Sequence, residues 1–260
     1  MRSIDDCKCV LVTGATSGIG RALALAIASL PTSPKVIGAG RRSGRLEQLA
    51  QAGLDTVHVD LDTDKLSLKR FADDIIDKYP QIDAIILCAG VQHEFDFHNP
   101  VNIDNLISET NINYTSVITL ISYFLPHFLK LSEQGRPTFV IPVTSGLAIT
   151  PAPWVLSYAA SKAALHSFTL SLRVQLRNTN INVIEIVPPL VESELHDEYG
   201  TTEKLSKFWM SLDEYTRATM EGLRKGDDVV SCGGSLDAYK RFEKDKEEIA
   251  VEMQKRREKW

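Results

Sequence analysis

A tyrosine and a lysine in this chain of 260 residues have a spacing that suits acid–base chemistry. Tyr158 and Lys162 are four positions apart in a stretch typical of a helix, and residues at this spacing share one helix face. A phenol ordinarily has a pKa of about 10, and a neighbouring ammonium group favours its ionised form. We therefore expect Lys162 to lower the pKa of Tyr158, which would make the phenol a general acid and base near neutral pH.

Ser145 supplies a third polar group. It follows an apolar run, 138–143, that reads as a strand. Ligands bind outside the carboxyl ends of strands in open α/β sheets, so this hydroxyl could hold a carbonyl or alcohol oxygen. A Tyr-x-x-x-Lys pair alone often occurs by chance. The interpretation therefore depends on a second motif earlier in the chain.

That second motif is a turn with glycines at 14, 18 and 20, between a predicted strand and a predicted helix. Glycines allow a tight turn and a close approach of the backbone to a ligand. The free N–H groups of the helix N-terminus would then face an anion such as a phosphate. A tight turn without a ligand is the alternative, and the strand–turn–helix context favours the phosphate site.

The end of the second predicted strand indicates which nucleotide is bound. A carboxylate there would bind a ribose hydroxyl and favour NAD, but the chain has Arg41 and Arg42. Guanidinium groups suit a 2′-phosphate, so we expect NADP rather than NAD. Two solvated arginines are the alternative. Asp60, after the third predicted strand, either accepts from the adenine amine or simply ends the strand.

Strand and helix patterns alternate along the chain. The predicted strands are 8–12, 35–39, 56–59, 84–87, 138–143, 182–187 and 229–232. The predicted helices are 18–30, 44–52, 66–79, 103–131, 154–176 and a charged C-terminal helix, 235–260. This alternation predicts an α/β fold, a single doubly wound Rossmann-type parallel sheet with helices on both faces. We expect one domain over 1–260, with 194–224 covering the substrate.

Composition excludes several other classes of protein. The chain is 43% hydrophobic and 24% charged with a net charge of −5, which is typical of a globular protein without a nucleic-acid partner. Residues 1–8 have no apolar core of a signal peptide, and no apolar run approaches the roughly 20 residues of a membrane span. Cys7 and Cys9 lack a second ligand pair, so we expect ordinary thiols, no metal and a cytoplasmic protein.

The motifs together resemble the short-chain dehydrogenase/reductase family over about residues 8–195. The motifs that carry the resemblance are 13–20, Ala89, Gly90, Asn113, Ser145, Tyr158 and Lys162. Within the family, segments 87–92, 145–148 and 163–168 are similar to the DltE-like oxidoreductases.

The resemblance implies a role for each catalytic residue. Tyr158 exchanges a proton with the substrate oxygen, and Ser145 orients that oxygen. Lys162 holds the nicotinamide ribose, and Asn113 supports a water chain from Lys162 to solvent; without the resemblance Asn113 would read as an ordinary helix residue. The predicted cofactor-binding residues are Gly14, Ser17, Gly18, Ile19, Gly20, Arg41, Asp60, Ala89, Gly90, Tyr158, Lys162, Val191 and Ser193.

The chain departs from the family pattern at two positions. Cys88 stands where the family has an asparagine that braces the sheet, and Pro189 stands where it has a glycine. The first change puts local stability in doubt, and the second puts the shape of the nicotinamide side in doubt, because proline lacks an N–H and has a fixed φ.

The expected reaction is hydride transfer between NADP(H) and a carbonyl compound or secondary alcohol. An apolar substrate is favoured if the cover residues line the site, but they could equally pack the cover onto the body. These cover residues are Phe208, Trp209, Met210, Leu212, Tyr215 and Met220. His93, Glu94 and His98 read as a solvated loop rather than as ligands. The resemblance also implies a homodimer or homotetramer that meets through the two long helices.

Two other functions are compatible with parts of this pattern. A nucleotide-binding regulatory or scaffold protein without turnover is the alternative, and the complete set of Ser145, Tyr158 and Lys162 argues against it. A sugar-nucleotide epimerase uses similar chemistry but needs a longer C-terminal region than this chain has after residue 187.

Overall fold

Buried strands and amphipathic helices alternate as the sequence predicts. The structure, a computed structural model, describes residues 3–200 and 202–259, the side chains of 198 and 199 excepted. Residues 1, 2, 201 and 260, which belong to the predicted domain, cover and C-terminal helix, lie outside the described residues. The strands are β1 (Cys9–Thr13), β2 (Lys35–Gly40), β3 (Asp55–His58), β4 (Ala84–Leu87), β5 (Thr138–Pro142), β6 (Ile181–Val183), β7 (Glu185–Val187) and β8 (Val229–Ser231). The helices are α1 (Gly18–Ala28), α2 (Ser43–Gln51), α3 (Lys65–Lys78), α4 (Ile103–Thr110), α5 (Ser116–Glu133), α6 (Leu156–Leu176), α7 (Thr202–Leu205), α8 (Leu212–Lys225), α9 (Gly233–Phe242) and α10 (Lys246–Arg257).

The sheet is parallel, and its central strand is the first in the chain. Six strands pair in the order β3-β2-β1-β4-β5-β6, and β7 pairs with β8. Successive side chains of a strand point to opposite faces. Accordingly, Leu11 packs into one hydrophobic cluster with α3, α5 and α6, whereas Val10 and Val12 pack into a second cluster with α1 and α8. The predicted doubly wound sheet with helices on both faces is confirmed.

The predicted strand 182–187 is in fact two strands. It breaks at Ile184, whose N–H donates to Val140 O at 3.0 Å, and the chain then pairs as β7 with β8. Glu185, with 1% of its surface exposed, turns into the interior at this break. The sequence prediction placed Glu185 within one continuous strand and so missed the change of partner.

The predicted helix 103–131 also contains an interruption. A π-helical turn, Asn111–Thr115, lies between α4 and α5. Such turns are often found at functional sites because the wider spiral changes which side chains point inward. Here the turn carries Asn113, which is fully buried.

The charged C-terminal region forms two helices, not the single helix predicted over 235–260. α9 and α10 are separated by Asp245, whose φ of 67° lies in the left-handed region. The break brings Glu243 inward, where it is 6% exposed. Charge density alone does not reveal that one carboxylate of this region is buried.

The amino end of the sheet is fixed by a buried carboxylate. Asp83 accepts from the backbone N–H groups of Lys8 and Cys9 at 3.0 Å, and Arg136 donates to it at 3.0 Å. Asp83 thus joins β1, β4 and the start of β5. Among the helices of the described residues, none combines the length and apolar character that crossing a bilayer requires.

Candidate active site

One cavity of about 800 Å³ opens at the carboxyl ends of the strands. Its volume is in the range of small-molecule and cofactor sites. Every predicted site residue except Asn113 lines it. Chain segments far apart in sequence therefore meet where the sheet topology predicts a ligand.

The glycine-rich turn forms one wall of the cavity. Gly14 has a φ of 68°, and a Cβ added there would lie 2.7 Å from Ala89 Cα, so only glycine fits. Ser17 is the N-cap of α1 but makes no side-chain capping bond, and Gly18, Ile19 and Gly20 line the cavity with the first turn of the helix. The residues present thus fit the phosphates of a dinucleotide.

Tyr158 and Ser145 lie on the opposite wall. Burial raises the pKa of Tyr158 to about 12, although the Ser145 hydroxyl acts to lower it. The net direction is therefore opposite to the expected lowering of this pKa, because the loss of hydration dominates. Ser145 caps a short helical turn and accepts from the Leu147 N–H at 3.1 Å, which fixes its side chain at the end of β5.

Lys162 is 3% exposed and lies beside the phenol, with Nζ 5.7 Å from the centre of the Tyr158 ring. Its ammonium group donates to Val143 O at 2.9 Å. Burial lowers the pKa of Lys162 to about 8, against the nearby Cys88 and Glu109, which raise it. The pKa of Lys162 therefore lies within about one unit of pH 7.

Asn113 lies behind the cavity and braces the chain after β4. Its Oδ1 accepts from Val91 N at 2.9 Å, and its Nδ2 donates to Val91 O at 2.8 Å and to Ser161 Oγ at 3.2 Å. A Cβ added at Gly90 would lie 3.2 Å from Asn113 Oδ1 and 3.6 Å from Lys162 Nζ. Gly90 therefore lets these two polar groups approach each other.

Glu109 is a buried acid that the sequence analysis missed. It is fully buried one turn before Asn113, its Oε1 accepts from His93 N at 2.8 Å, and the Ser157 hydroxyl lies near the carboxylate. Burial raises the pKa of Glu109. Its position in an amphipathic helix gave no signal, because a glutamate near a helix end is usually solvated.

Hydrogen bonds hold the chain next to both departures from the family pattern. Thr13 Oγ1 accepts from the N–H groups of Cys88 and Ala89 at 3.2 and 3.3 Å, and it holds this turn beside β1. Pro188 O accepts from Gly146 N at 2.8 Å and from Ser235 Oγ at 2.9 Å. The carbonyl before Pro189 thus ties the Ser145 loop to the start of α9.

The two predicted nucleotide arginines, Arg41 and Arg42, have different surroundings. Arg41 is exposed and lines the cavity, whereas Arg42 and Arg45 form ion pairs with Glu194 at 2.9 and 2.6 Å. Arg45 and Glu194 were missed because nothing in the sequence brings these two segments together. Asp60 lines the cavity and accepts from Asp62 N at 3.0 Å, which is the turn expected of a strand-ending aspartate.

Val191 and Ser193 continue the wall from β7. Val191 is 3% exposed and forms a bridge with Met210. A Cβ added at Gly18 would lie 3.3 Å from the Cβ of Ser193, so this segment passes directly over the glycine-rich turn.

Four of the six predicted cover residues pack the cover onto the body. Tyr215 is 1% exposed within the second hydrophobic cluster, and Met210, Leu212 and Met220 pack against that cluster, whereas Phe208 is 80% exposed. The apolar cavity wall comes instead from other residues, namely Leu147, Ala152, Trp154, Val155, Leu195 and Leu205. In the loop after β4, Glu94 and His98 are exposed, and the backbone N–H of His93 donates to Glu109.

A buried charged cluster supports the strand end behind Ser145. His166 Nδ1 lies 2.8 Å from Glu185 Oε1, and its Nε2 lies 3.0 Å from Glu243 Oε2. Thr144 donates to Glu185 at 2.6 Å, and Lys246 donates to Glu243 at 2.7 Å. Burial lowers the pKa of His166, but the two carboxylates outweigh it and hold the pKa above its usual value.

Comparison with known proteins agrees with this geometry. The sequence model of the family described as short chain dehydrogenase matches residues 8–204. The uncharacterized oxidoreductase DltE of Bacillus subtilis is 33% identical over 227 residues, which cover 85% of this chain and 86% of DltE. The 11-beta-hydroxysteroid dehydrogenase-like 3 protein of Arabidopsis thaliana is 29% identical over 235 residues, 86% of this chain and 72% of that protein.

Solved structures show the same fold. A 3-ketoacyl-(acyl-carrier-protein) reductase from Brucella melitensis, complexed with NADH, has a TM-score of 0.76 at 21% identity and covers 88% of this chain and 98% of its own. A short-chain dehydrogenase from Sphingobium yanoikuyae, in complex with NADPH, has a TM-score of 0.75 at 21% identity, with 90% and 92% covered.

Proposed function

This chain belongs to the short-chain dehydrogenase/reductase family, and we propose that it transfers a hydride between NADP(H) and a hydrophobic carbonyl compound or secondary alcohol. Membership of the family makes it a nicotinamide-dependent oxidoreductase, and its relation to DltE makes it a member of the DltE-like branch. One observation carries the proposal: Ser145, Tyr158 and Lys162 share a cavity with the glycine-rich turn.

The residues around the turn would hold the dinucleotide. The first turn of α1 would bind the pyrophosphate through its N–H groups, and Ala89, Gly90, Val191 and Ser193 would line the path toward the nicotinamide. Asp60 would lie beside the adenine. NADP is favoured over NAD because the cavity has arginine side chains rather than a carboxylate at the end of β2.

The polar groups of the opposite wall would handle the proton. When bound, the nicotinamide supplies or accepts the hydride. Ser145 would hold the substrate oxygen, and Tyr158, protonated at neutral pH because its pKa is about 12, would donate its proton to that oxygen during carbonyl reduction. Lys162, with a pKa of about 8, would hold the ribose as a cation and stabilise the phenolate that remains. Asn113 would hold the Gly90 segment in place against α6, the helix that carries Tyr158.

The walls beyond Ser145 favour an apolar substrate. Trp154, Leu195 and Leu205 face the cavity from the loop before α6 and from the cover. The Arabidopsis relative is named as similar to a hydroxysteroid dehydrogenase. Bulky ketones of about the size of a steroid are therefore the first substrates to test.

Nucleotide titration followed by a substrate screen tests the proposal. We expect NADPH to bind more tightly than NADH, with oxidation of NADPH in the presence of apolar ketones. Tyr158→Phe should retain NADPH binding and lose turnover. Tyr123 lies on α5 and its hydroxyl donates to Lys65 O of α3, so Tyr123→Phe should retain both binding and turnover. Binding without turnover on any carbonyl would favour the regulatory alternative, and no binding of either nucleotide would refute the proposal.

A homo-oligomer and a cytoplasmic location remain predictions. Ile103 and Ile107 on α4 are 56% and 59% exposed, which supports a contact between copies through the long helices. Light scattering of the purified protein should give the mass of a dimer or tetramer, and a monomer at micromolar concentration would contradict it.

A further inference from the structure

Three charged side chains from separate segments meet at the end of the cavity beside the glycine-rich turn. Arg42 immediately precedes α2, Arg45 lies in its first turn, and Glu194 follows the segment after β7. Arg42 Nη1 lies 2.9 Å from Glu194 Oε2, and Arg45 Nη1 lies 2.6 and 2.8 Å from the two carboxylate oxygens. One carboxylate therefore binds two guanidinium groups.

The two arginines are also tied to the glycine-rich turn. Arg42 Nε donates to Thr16 Oγ1 at 3.1 Å, and its Nη2 donates to Ser17 Oγ. Arg45 Nη1 donates to Thr16 O at 3.3 Å. These contacts hold the guanidinium groups in place, so a second anion would meet them already oriented. Arg41 does not take part in this network of described residues.

Glu194 brings the cover to this site. It follows Ser193, which passes over Gly18, and it begins the helical turn Glu194–Tyr199. The hydrogen bond from Arg45, with a further contribution from Arg42, holds the pKa of Glu194 below its usual value, so its charge persists at neutral pH. The ion pairs therefore connect the first turn of the cover to α2.

A phosphate and a carboxylate make the same charge-assisted contacts with arginine. A phosphate that binds these guanidinium groups would compete with the Glu194 carboxylate for the same N–H donors and would be repelled by its charge. We propose that Glu194 is a specificity-determining residue that occupies the 2′-phosphate subsite, so that NADPH must release the first turn of the cover whereas NADH leaves it attached. This inference rests on the proposed function.

Binding of the two nucleotides to Glu194→Gln tests the competition. Glutamine keeps the size of the side chain and removes the charge. NADPH affinity should rise by roughly threefold or more, as expected for loss of a partly exposed ion-pair competitor, and NADH affinity should stay unchanged. Glu192→Gln is the matched control, since Glu192 lies on the same segment but contacts Leu212 N at 3.3 Å instead. An unchanged NADPH-to-NADH affinity ratio in Glu194→Gln, equal to that of Glu192→Gln, would overturn the inference.

Hydrogen exchange of the wild-type complexes gives a readout independent of turnover. Amides of residues 194–197 should exchange faster in the NADPH complex than in the NADH complex, and Glu194→Gln should abolish this difference. Equal exchange in the two wild-type complexes would also overturn the inference. If the wild type prefers NADH and Glu194→Gln gains NADPH, the inference stands while the NADP preference is wrong. If neither nucleotide binds either variant, both proposals fail.

Discussion

Replacement of His166 by glutamine should destabilise the protein through the buried cluster behind Ser145. The imidazole lies between Glu185 and Glu243, which are 1% and 6% exposed, and its loss leaves two buried carboxylates without the cation they share. Breaking a buried ion pair costs about 3–5 kcal/mol. Because Thr144 and Lys246 still donate to these carboxylates, we expect the lower end, about 3 kcal/mol, or a fall in Tm of about 6–12 °C.

The effect should depend on pH in a defined direction. The pKa of His166 is raised in the folded protein, so its stabilising contribution is complete below about pH 6.5 and is lost as the pH rises through the folded-state value. Glu185 and Glu243 bond to the imidazole, Lys246 bonds to Glu243, and Tyr239 of α9 lies close to both carboxylates. The difference in stability between wild type and variant should therefore be largest in mild acid and shrink in alkali.

Urea unfolding at about pH 6 and about pH 9, with midpoints and slopes compared, measures both effects. His98→Gln is the control, because that side chain is 96% exposed beside Asp96, and its loss should change the midpoint at neither pH. A variant within about 0.5 kcal/mol of the wild type in mild acid, or a difference that grows with pH, would refute the reasoning.

Three further changes test other parts of the structure. Gly14→Ala should abolish nucleotide binding and lower stability by about 1 kcal/mol or more, since its φ is 68° and its Cβ would meet Ala89, whereas Gly44→Ala, with open space around it, should bind normally in the same titration. Asp83→Ala should cost about 3 kcal/mol in urea unfolding, because two backbone N–H groups and a guanidinium lose their acceptor; a loss below about 1 kcal/mol would contradict this. Glu109→Gln keeps the acceptor for His93 N but removes a carboxylate that raises the pKa of Lys162, so isotope-labelled lysine NMR should place that pKa below about 8, and an unchanged titration would contradict it.

The sequence predicts the layers of the fold because they depend on periodicity. The residues of β1 that point to either face of the sheet are mostly apolar, and this pattern indicates a strand buried between two layers of helices. The breaks within elements were not predictable in this way. The π-helical turn at Asn113 and the change of partner at Ile184 arise from contacts with Val91 and Val140, which are distant in sequence.

The same division applies to the candidate site. Ser145, Tyr158 and the glycine-rich turn have characteristic spacing, and the structure brings them to one cavity. Glu109 and Glu194 have no such spacing, because each acts through a partner on another segment. The direction of the Tyr158 pKa also depends on burial, which a pair of residues on a helix does not reveal.

The position of the last strand and of α9 sets the order in which the Ser145 loop can acquire its hydrogen bonds during synthesis. Pro188 O accepts from the Ser145 loop and from Ser235, and β8 completes the sheet beside β7. Residues up to Ser235 must therefore leave the ribosome before the Ser145 loop has its full support, although the glycine-rich turn and its neighbouring strands emerge early. A chain that ended before β8 would lack both the β7–β8 pairing and the Ser235 hydrogen bond to Pro188 O.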